Sequence, residues 1–251
     1  MNEAGPKPEG QKEIPFEVLG KISVMRHGAT EYTEQYPDLT ELGVEQVTSQ
    51  ARNLKEKIDP EKEELFIASS PAARARGSAD ILKSELDASV DAKVMRSIRG
   101  VGIRNREEAL KMVNEIIGPE RDVKKMDNAY AHDAAFEERV EVWEPRSNVE
   151  KRFFQGFEYL VRSFNRYRET NPQKIPHFVG VSHFEFLNHL VKSTFALGPE
   201  ADQLNFSEMV EMTVLTQREG GHIPVLITFR GETKEIVFDR NSRSIEIARP
   251  E

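Results

Sequence analysis

Cysteine is missing from all 251 residues of the chain. This absence excludes a disulfide scaffold, thiolate metal ligands, iron–sulfur ligation and a cysteine nucleophile. Basic residues are in the minority, with 35 Lys and Arg against 43 Asp and Glu, so the formal net charge is −8. A surface of that sign disfavours nucleic acid as a partner, whereas a local basic pocket for a small anion is compatible with it.

Long apolar runs are also missing from the sequence. No stretch approaches the roughly 18 apolar residues that a membrane span requires, and the N-terminus has neither the basic nor the apolar region of a signal peptide. We therefore expect a cytoplasmic protein with no membrane partner. Residues 1–16 are rich in Gly, Pro, Glu and Lys, which predicts a disordered tail, and residues 17–248 are predicted to form a single domain.

Strand patterns and helix patterns alternate along the chain. The predicted strands cover residues 21–26, 65–69, 93–95, 175–182, 209–216, 224–230 and 235–239. The predicted helices cover residues 44–58, 75–86, 106–117, 149–164 and 184–195. This alternation predicts a three-layer α/β/α sandwich with a mostly parallel sheet, to which the last strands add antiparallel or edge pairs. Residues 120–144 are charged and weakly periodic, and we expect them to form an insertion or lid over the active-site end.

Three helix starts carry capping signals. Thr40 is predicted to be the N-cap of the first helix. Ser70-Pro71 is predicted to open the second, with Ser as cap and Pro at the first helical position. Ser147 and Glu150 have the spacing of a capping box.

Basic and imidazole side chains follow the predicted strands. Ligands of open α/β sheets bind at the carboxyl ends of the strands. Arg26 and His27 close the first strand, His183 closes a later one, and Arg74 lies at the start of the helix after the second. Arginine donates a planar fork of hydrogen bonds to phosphate oxygens, and a neutral imidazole can attack phosphorus. The set is therefore suited to a tetrahedral phosphoryl group.

Four short motifs appear in a characteristic order: Arg-His-Gly-Ala-Thr at 26–30, Leu-Thr-Glu-Leu-Gly at 39–43, Ser-Ser-Pro at 69–71 followed by Arg74, and Val-Ser-His at 181–183. Each is weak alone, but the ordered set resembles the histidine phosphatase superfamily, whose fold is phosphoglycerate-mutase-like.

The resemblance implies a role for each matching residue. His27 would be the nucleophile that becomes phosphohistidine, and Arg26 and Arg74 would bind the phosphoryl oxygens. His183 would donate to the phosphoryl group and stabilise the transition state, and Thr30 would lie at the pocket rim. The family implies no metal and no cofactor, and it implies a small phosphorylated substrate.

The expected proton donor is displaced in this sequence. Mutase-like members carry a glutamate just after the third strand, where this chain has Ser97. The replacement candidates are Glu107, Glu108, Asp133 and Glu185. We favour Glu185, because His183-Phe184-Glu185 resembles the His-x-Glu pattern of the acid-phosphatase branch.

The expected activity is a metal-independent phosphomonoester hydrolase. The short loop 29–38, which has Tyr32-Thr33 where mutases have Trp-Asn, favours a phosphatase over the alternative of a phosphoglycerate-type mutase. The displaced glutamate keeps open a non-catalytic phosphate-binding or interaction module, and a phosphohistidine protein phosphatase is a weaker alternative. Four arginines, at positions 96, 99, 104 and 106, could select a polyanionic substrate or form a solvated surface. No pattern indicates the oligomeric state.

Overall fold

The computed structural model describes residues 17–31, 39–119, 123–195, 197, 204–216 and 219–247. Its strands are β1 (Val18–Arg26), β2 (Glu63–Ser69), β3 (Lys93–Val94), β4 (Ile175–Ser182), β5 (Met209–Leu215), β6 (His222–Phe229), β7 (Glu232–Asp239) and β8 (Ser244–Ile247). Its helices are α1 (Glu41–Lys55), α2 (Ala73–Glu85), α3 (Arg106–Ile117), α4 (Val123–His132), α5 (Ala135–Glu138), α6 (Arg146–Thr170) and α7 (Phe184–Phe195). The predicted tail and the Tyr32-Thr33 pair lie outside the described residues.

All eight strands of the described chain form one sheet in the order β3-β2-β4-β1-β5-β6-β7-β8. The pairs β3–β2, β2–β4 and β4–β1 are parallel. The pairs from β1–β5 onward are antiparallel. The predicted α/β sandwich and the antiparallel strands expected near the end of the chain are therefore confirmed. The short strand β8 was not predicted.

Two apolar cores lie on opposite faces of the sheet. On one face, α1 and α2 pack through residues such as Val47 and Leu82 against Met25 and Val181. On the other face, a row of phenylalanines from α6 and α7 shares a core with Val24 of β1. Val24 and Met25 point to opposite faces because successive strand residues alternate. Each large apolar side chain buried in this way stabilises the fold by about 1.5–3 kcal/mol.

The predicted N-cap is correct for α1 and wrong for α2. The Thr40 hydroxyl accepts a hydrogen bond from the Gly43 amide at 3.0 Å, so the predicted N-cap of α1 is confirmed. The prediction for α2 was wrong, because the helix begins two residues after Pro71 and has no side-chain cap. The Ser70 hydroxyl lies instead 2.6 Å from a ring nitrogen of His183. The same hydroxyl accepts from the Ala72 amide at 3.3 Å, so its local contact lies ahead of the helix and does not cap it.

The predicted capping box was also wrong. Helix α6 already begins at Arg146, with no side-chain cap. Ser147 therefore lies inside the first turn, where its amide donates to the Glu137 carboxylate at 3.1 Å and its hydroxyl donates to the same group. The Glu150 carboxylate lies 3.0 Å from the Nε2 of His189 in α7.

Helices α4 and α5 form the described part of the expected insertion. Helix α4 packs against α3 and α7. The Phe136 ring contacts that of Tyr130 edge-on and that of Trp143 at a tilt, with centroid separations of 5.4 and 5.2 Å. This packing places α4 beside the carboxyl end of β1. Its role as a lid remains a prediction. No helix in the described ranges is both long and apolar enough to cross a lipid bilayer.

Candidate active site

The first motif lies where β1 meets the beginning of α1. His27 directly follows β1, and its amide donates to the Ser182 carbonyl at the end of β4 at 3.1 Å. Gly28 comes so close to α1 that a Cβ there would lie 2.5 Å from the Gly43 carbonyl oxygen. A side chain at position 28 would therefore push the two segments apart. The close approach holds the His27 ring at the edge of the parallel strands.

A continuous chain of side-chain contacts links His27 and His183 through Arg74. The Arg74 Nε donates to the His27 Nε2 at 2.9 Å, and its Nη2 lies 3.2 Å from the His183 Nδ1. Because a guanidinium only donates, both of these ring nitrogens accept. The other ring nitrogens then carry the protons, so the His27 Nδ1 donates to the Gly28 carbonyl at 2.8 Å and the His183 Nε2 donates to the Ser70 hydroxyl at 2.6 Å.

Both imidazoles are neutral in this environment. His27 and His183 are 2% and 3% exposed. Burial lowers the pKa of His27 well below its ordinary value, and the positive charge of Arg74 lowers it further. Burial and the charges of Arg74 and Arg26 act in the same direction on the pKa of His183. The Nε2 lone pair of His27 is therefore present well into the acidic range.

Arg26, which is expected to bind a phosphoryl group, already forms an ion pair with a carboxylate. Its Nη1 donates to the Asp127 Oδ2 and to the Leu204 carbonyl, both at 2.6 Å. The guanidinium carbon lies 4.2 Å from the ring centroid of Phe206 and 5.2 Å from that of Phe184. Helix α4 therefore presents an anion to one of the two arginines expected to bind a phosphoryl group.

A third arginine, Arg152 of α6, binds the segment after β3. It donates to the carbonyls of Ser97, Arg99 and Gly100, each at 3.0 Å. It also forms two hydrogen bonds with the Glu144 carboxylate, at 2.9 and 3.0 Å. Burial raises the pKa of Glu144, but the hydrogen bond and charge of Arg152 outweigh it, so the net shift is downward. Ser97, at the position expected to carry the acid, thus contributes a backbone carbonyl through which Arg152 binds the segment after β3.

Three of the four candidate acids lie in surface settings. Glu107 and Glu108 form ion pairs with Lys111 at 2.9 and 3.3 Å within α3. Asp133 accepts a hydrogen bond from the Ala135 amide at 2.8 Å and is exposed. None of these contacts places a carboxylate beside the histidines.

Glu185, the fourth candidate, lies close to the second histidine. A Cβ built on Gly100 would be 3.1 Å from the Glu185 Oε2 and 3.1 Å from the His183 Cγ. The carboxylate and the imidazole therefore flank the same point. No hydrogen bond or ion pair within the described residues engages the Glu185 carboxylate. It remains available to a ligand.

The other predicted residues contribute less to this cluster. The backbone of Thr30 bridges to Leu39, beside residues that the structure does not describe. Arg99 pairs with Glu144 at 3.2 Å and Arg104 donates to the Val140 carbonyl, so both have structural contacts. Arg96 is exposed.

Sequence reasoning missed Asp127, Glu144 and Arg152. Asp127 and Glu144 lie in the weakly periodic segment 120–144, and the partner of Asp127 is 101 residues away. Arg152 shares a helix with an apolar row, so its pattern is that of an ordinary solvated position. No group of three or more His, Asp or Glu side chains within the described ranges is arranged to hold a metal ion.

Comparison with known proteins gives one family and several solved structures of similar fold. A family model described as histidine phosphatase superfamily (branch 1) matches residues 22–228. Comparison with curated proteins gives no match. Among solved structures, a mycobacterial glucosyl-3-phosphoglycerate phosphatase is similar, with 17% identity and a TM-score of 0.57 over 84% of this chain and 98% of that one. Another, mycobacterial hydrolase 1, has 18% identity and a TM-score of 0.58 over 85% of this chain and 99% of that one. At such identities the likeness shows the fold.

Proposed function

Because this chain belongs to the histidine phosphatase superfamily, branch 1, we propose that it hydrolyses small phosphate monoesters through a phosphohistidine formed on His27. One observation carries the proposal. The His27 ring donates from Nδ1 to the Gly28 carbonyl and presents an unprotonated Nε2 to Arg74. A nucleophile in the correct tautomer thus lies beside a cation that can receive phosphoryl oxygens.

In the first step the His27 Nε2 attacks phosphorus, and the bond from phosphorus to the leaving oxygen breaks. The charge on the phosphoryl oxygens is stabilised by Arg74, which lies between the two histidines. Arg26 adds positive potential, since its charge lowers the pKa of both imidazoles. A phosphoryl group bound here would share the Arg26 guanidinium with the carboxylate of Asp127, which already accepts from its Nη1.

The leaving oxygen requires a proton, which we assign to Glu185. Among the four candidate carboxylates, this one flanks His183, whereas the other three lie in the surface contacts described above. In the second step water attacks the phosphohistidine, Glu185 accepts its proton, and the phosphorus–nitrogen bond breaks. The products are an alcohol and inorganic phosphate, with His27 restored.

The test is hydrolysis of p-nitrophenyl phosphate and of β-glycerol phosphate, with and without EDTA. We expect EDTA-insensitive turnover that His27→Ala abolishes and that His222→Ala retains, because His222 is exposed on β6. We expect Glu185→Gln to slow β-glycerol phosphate by about a hundredfold or more. It should slow p-nitrophenyl phosphate much less, since that leaving group needs little protonation.

Each alternative result has a defined meaning. Turnover that survives His27→Ala would overturn the phosphohistidine proposal. Equal effects of Glu185→Gln on both substrates would remove Glu185 as proton donor. Phosphate binding without any turnover would favour the non-catalytic module, and isomerisation without phosphate release would favour the mutase.

A further inference from the structure

The backbone that follows His27 is bound by side chains of two helices. The Gly28 amide donates to the Ser78 hydroxyl of α2 at 3.2 Å. The Ala29 amide donates to the side-chain oxygen of Gln46 in α1 at 3.1 Å. Because a backbone amide only donates, the Gln46 atom that faces it must be the oxygen. Both contacts join a helix side chain to the backbone beside the nucleophile.

The Gln46 contact acts on the peptide unit that also binds the His27 ring. The Gly28 carbonyl accepts from the His27 Nδ1 at 2.8 Å, and it shares one planar peptide unit with the Ala29 amide. In a trans peptide unit the C=O and the N–H point in opposite directions, and this one is trans. Gln46 and the His27 ring therefore bind the same rigid plane from its two sides.

The 28–29 peptide unit depends on Gln46 for its orientation. Glycine allows a wide range of backbone conformations, so residue 28 does little to fix the plane by itself. The neighbouring peptide units are bound by Ser78 and by Thr40. Without the Gln46 contact, the plane between them could turn and carry the Gly28 carbonyl away from the ring. The Nδ1 proton of His27 would then lose its acceptor.

The start of α1 is shaped to bring Gln46 to this position. Gly43 and Gln46 are three residues apart, so they lie on one face of the helix. A Cβ at position 43 would collide with the Ala29 carbonyl oxygen and would lie 2.9 Å from the Ala29 nitrogen. The missing side chain lets the backbone come close to α1, where Gln46, one turn later, reaches the amide.

The hydrogen bond from the His27 ring to the Gly28 carbonyl also affects the chemistry of the ring. Hydrogen bonds in a chain polarise one another, so the bond to Gln46 makes this carbonyl a better acceptor. Burial lowers the pKa of His27, while the bond to the Gly28 carbonyl raises it. When Nε2 bonds to phosphorus, the ring takes up positive charge and keeps its proton on Nδ1. The same hydrogen bond then becomes charge-assisted and stronger, which favours the transition state.

We propose that Gln46 is a positioning residue for the nucleophile: by binding the Ala29 amide, it fixes the peptide unit whose carbonyl holds the proton on the His27 Nδ1. Since Gln46 acts through this peptide unit, it should change the attack on phosphorus and leave phosphate affinity, which we assign to the arginines, unchanged. The effect on the attack rests on the proposed function, whereas the effect on the His27 tautomer does not.

The kinetic test compares Gln46→Leu, Gln46→Glu and Gln50→Leu. Leucine removes the acceptor, and glutamate keeps one. Gln50 is half-buried one turn further along α1, and its side chain makes no hydrogen bond within the described residues, so it provides the matched control. We expect Gln46→Leu to lower kcat/KM for p-nitrophenyl phosphate by about three- to tenfold. The Ki of inorganic phosphate should stay within about twofold of the wild-type value. Gln46→Glu should recover most of the loss, and Gln50→Leu should change neither constant.

The second measurement is the tautomer of His27, by nitrogen-15 NMR of histidine-labelled protein without substrate. His27→Gln identifies the His27 signals among those of the six histidines. We expect the proton on Nδ1 in the wild type, in Gln46→Glu and in Gln50→Leu. In Gln46→Leu a measurable population should carry it on Nε2. The other histidine signals should stay in place, which separates a local change from a loss of folding.

Each outcome supports or overturns the inference. An unchanged His27 tautomer in Gln46→Leu would overturn it, and so would a shifted tautomer with unchanged kcat/KM. A Ki of phosphate that rises as much as kcat/KM falls, or a Gln46→Glu variant as slow as Gln46→Leu, would indicate a general disturbance of the site and would also overturn it. If the wild type has no turnover, the proposed function fails, and the tautomer alone decides the role of Gln46. Gln46→Ala replaces Gln46→Leu if the latter does not fold.

Discussion

Acid should destabilise this protein through the two neutral histidines. The pKa values of His27 and His183 are lowered in the folded state, mainly by burial, from an ordinary value of 6.5. The unfolded chain therefore takes up two protons below about pH 6.5 that the folded chain resists, and stability falls as the pH falls. Between about pH 7.5 and about pH 5.5 the loss is at most about 1.4 kcal/mol for each imidazole, or about 2.7 kcal/mol for the pair, which is the limit for rings that take up no proton in the folded state.

Urea unfolding in phosphate-free buffer at those two pH values measures the effect. His27→Gln and His183→Gln should each lose up to about 1.4 kcal/mol less than the wild type over this range. The control His222→Gln removes an exposed imidazole and should leave the wild-type difference unchanged. An identical pH dependence in the wild type and in both buried-site variants would refute the reasoning, because these imidazoles would then not resist protonation.

Three further perturbations test charged contacts by chemical denaturation, two beside the site and one at the opposite end of the parallel strands. Asp127→Asn leaves the buried Arg26 without its carboxylate and should lower the free energy of unfolding by about 3 kcal/mol; a change below about 1 kcal/mol would contradict a tight pair. In Arg152→Lys the lysine cannot form both the two hydrogen bonds to Glu144 and the bonds to the loop carbonyls, so the free energy of unfolding should fall by roughly 2–3 kcal/mol. An unchanged free energy of unfolding would mean that these contacts are absent in solution. Burial raises the pKa of Glu63, but its hydrogen bonds outweigh this effect and lower the pKa to about 2. The stability that the Glu63 carboxylate contributes is therefore present above about pH 4.5 and is lost as the pH falls toward 2. Glu63→Gln should therefore show a shallower loss than the wild type in that window, and parallel curves would argue against the assignment.

The central part of the candidate site was predictable because its residues follow the ends of neighbouring strands. His27 and His183 end parallel neighbouring strands, and Arg74 begins the helix after the next strand. Strand ends meet at one edge of a sheet, so the order of the motifs was enough to bring these side chains together. The tautomers and the direct contact of Arg74 with both rings required coordinates.

The helix caps were less predictable because tertiary partners compete for the same hydroxyls. Ser70 and Ser147 both have the local signal of an N-cap. In the structure the Ser70 hydroxyl is hydrogen-bonded to His183, and the Ser147 hydroxyl donates to Glu137. Neither partner is visible from local spacing, since one lies 113 residues away and the other belongs to a segment without clear periodicity.

The role of α4 could not be read from the sequence for a related reason. Asp127 is one charged residue among several in a charged stretch, and only the packing of α4 against α7 brings it to Arg26. The same packing encloses Tyr130 beside Asn188. A single charged side chain with a distant partner leaves no periodic pattern in the sequence. Asp127 was therefore absent from the sequence-based candidates.

The most direct test of the central claim is to trap the covalent intermediate. Wild-type protein is mixed with excess p-nitrophenyl phosphate and quenched in alkali, because the phosphorus–nitrogen bond of phosphohistidine survives base and is lost in acid. Intact-mass measurement and peptide mapping should show one phosphoryl group on His27 in the wild type and none in His27→Ala. A phosphoryl group on another residue, or turnover without any covalent species at the earliest quench times, would contradict the account.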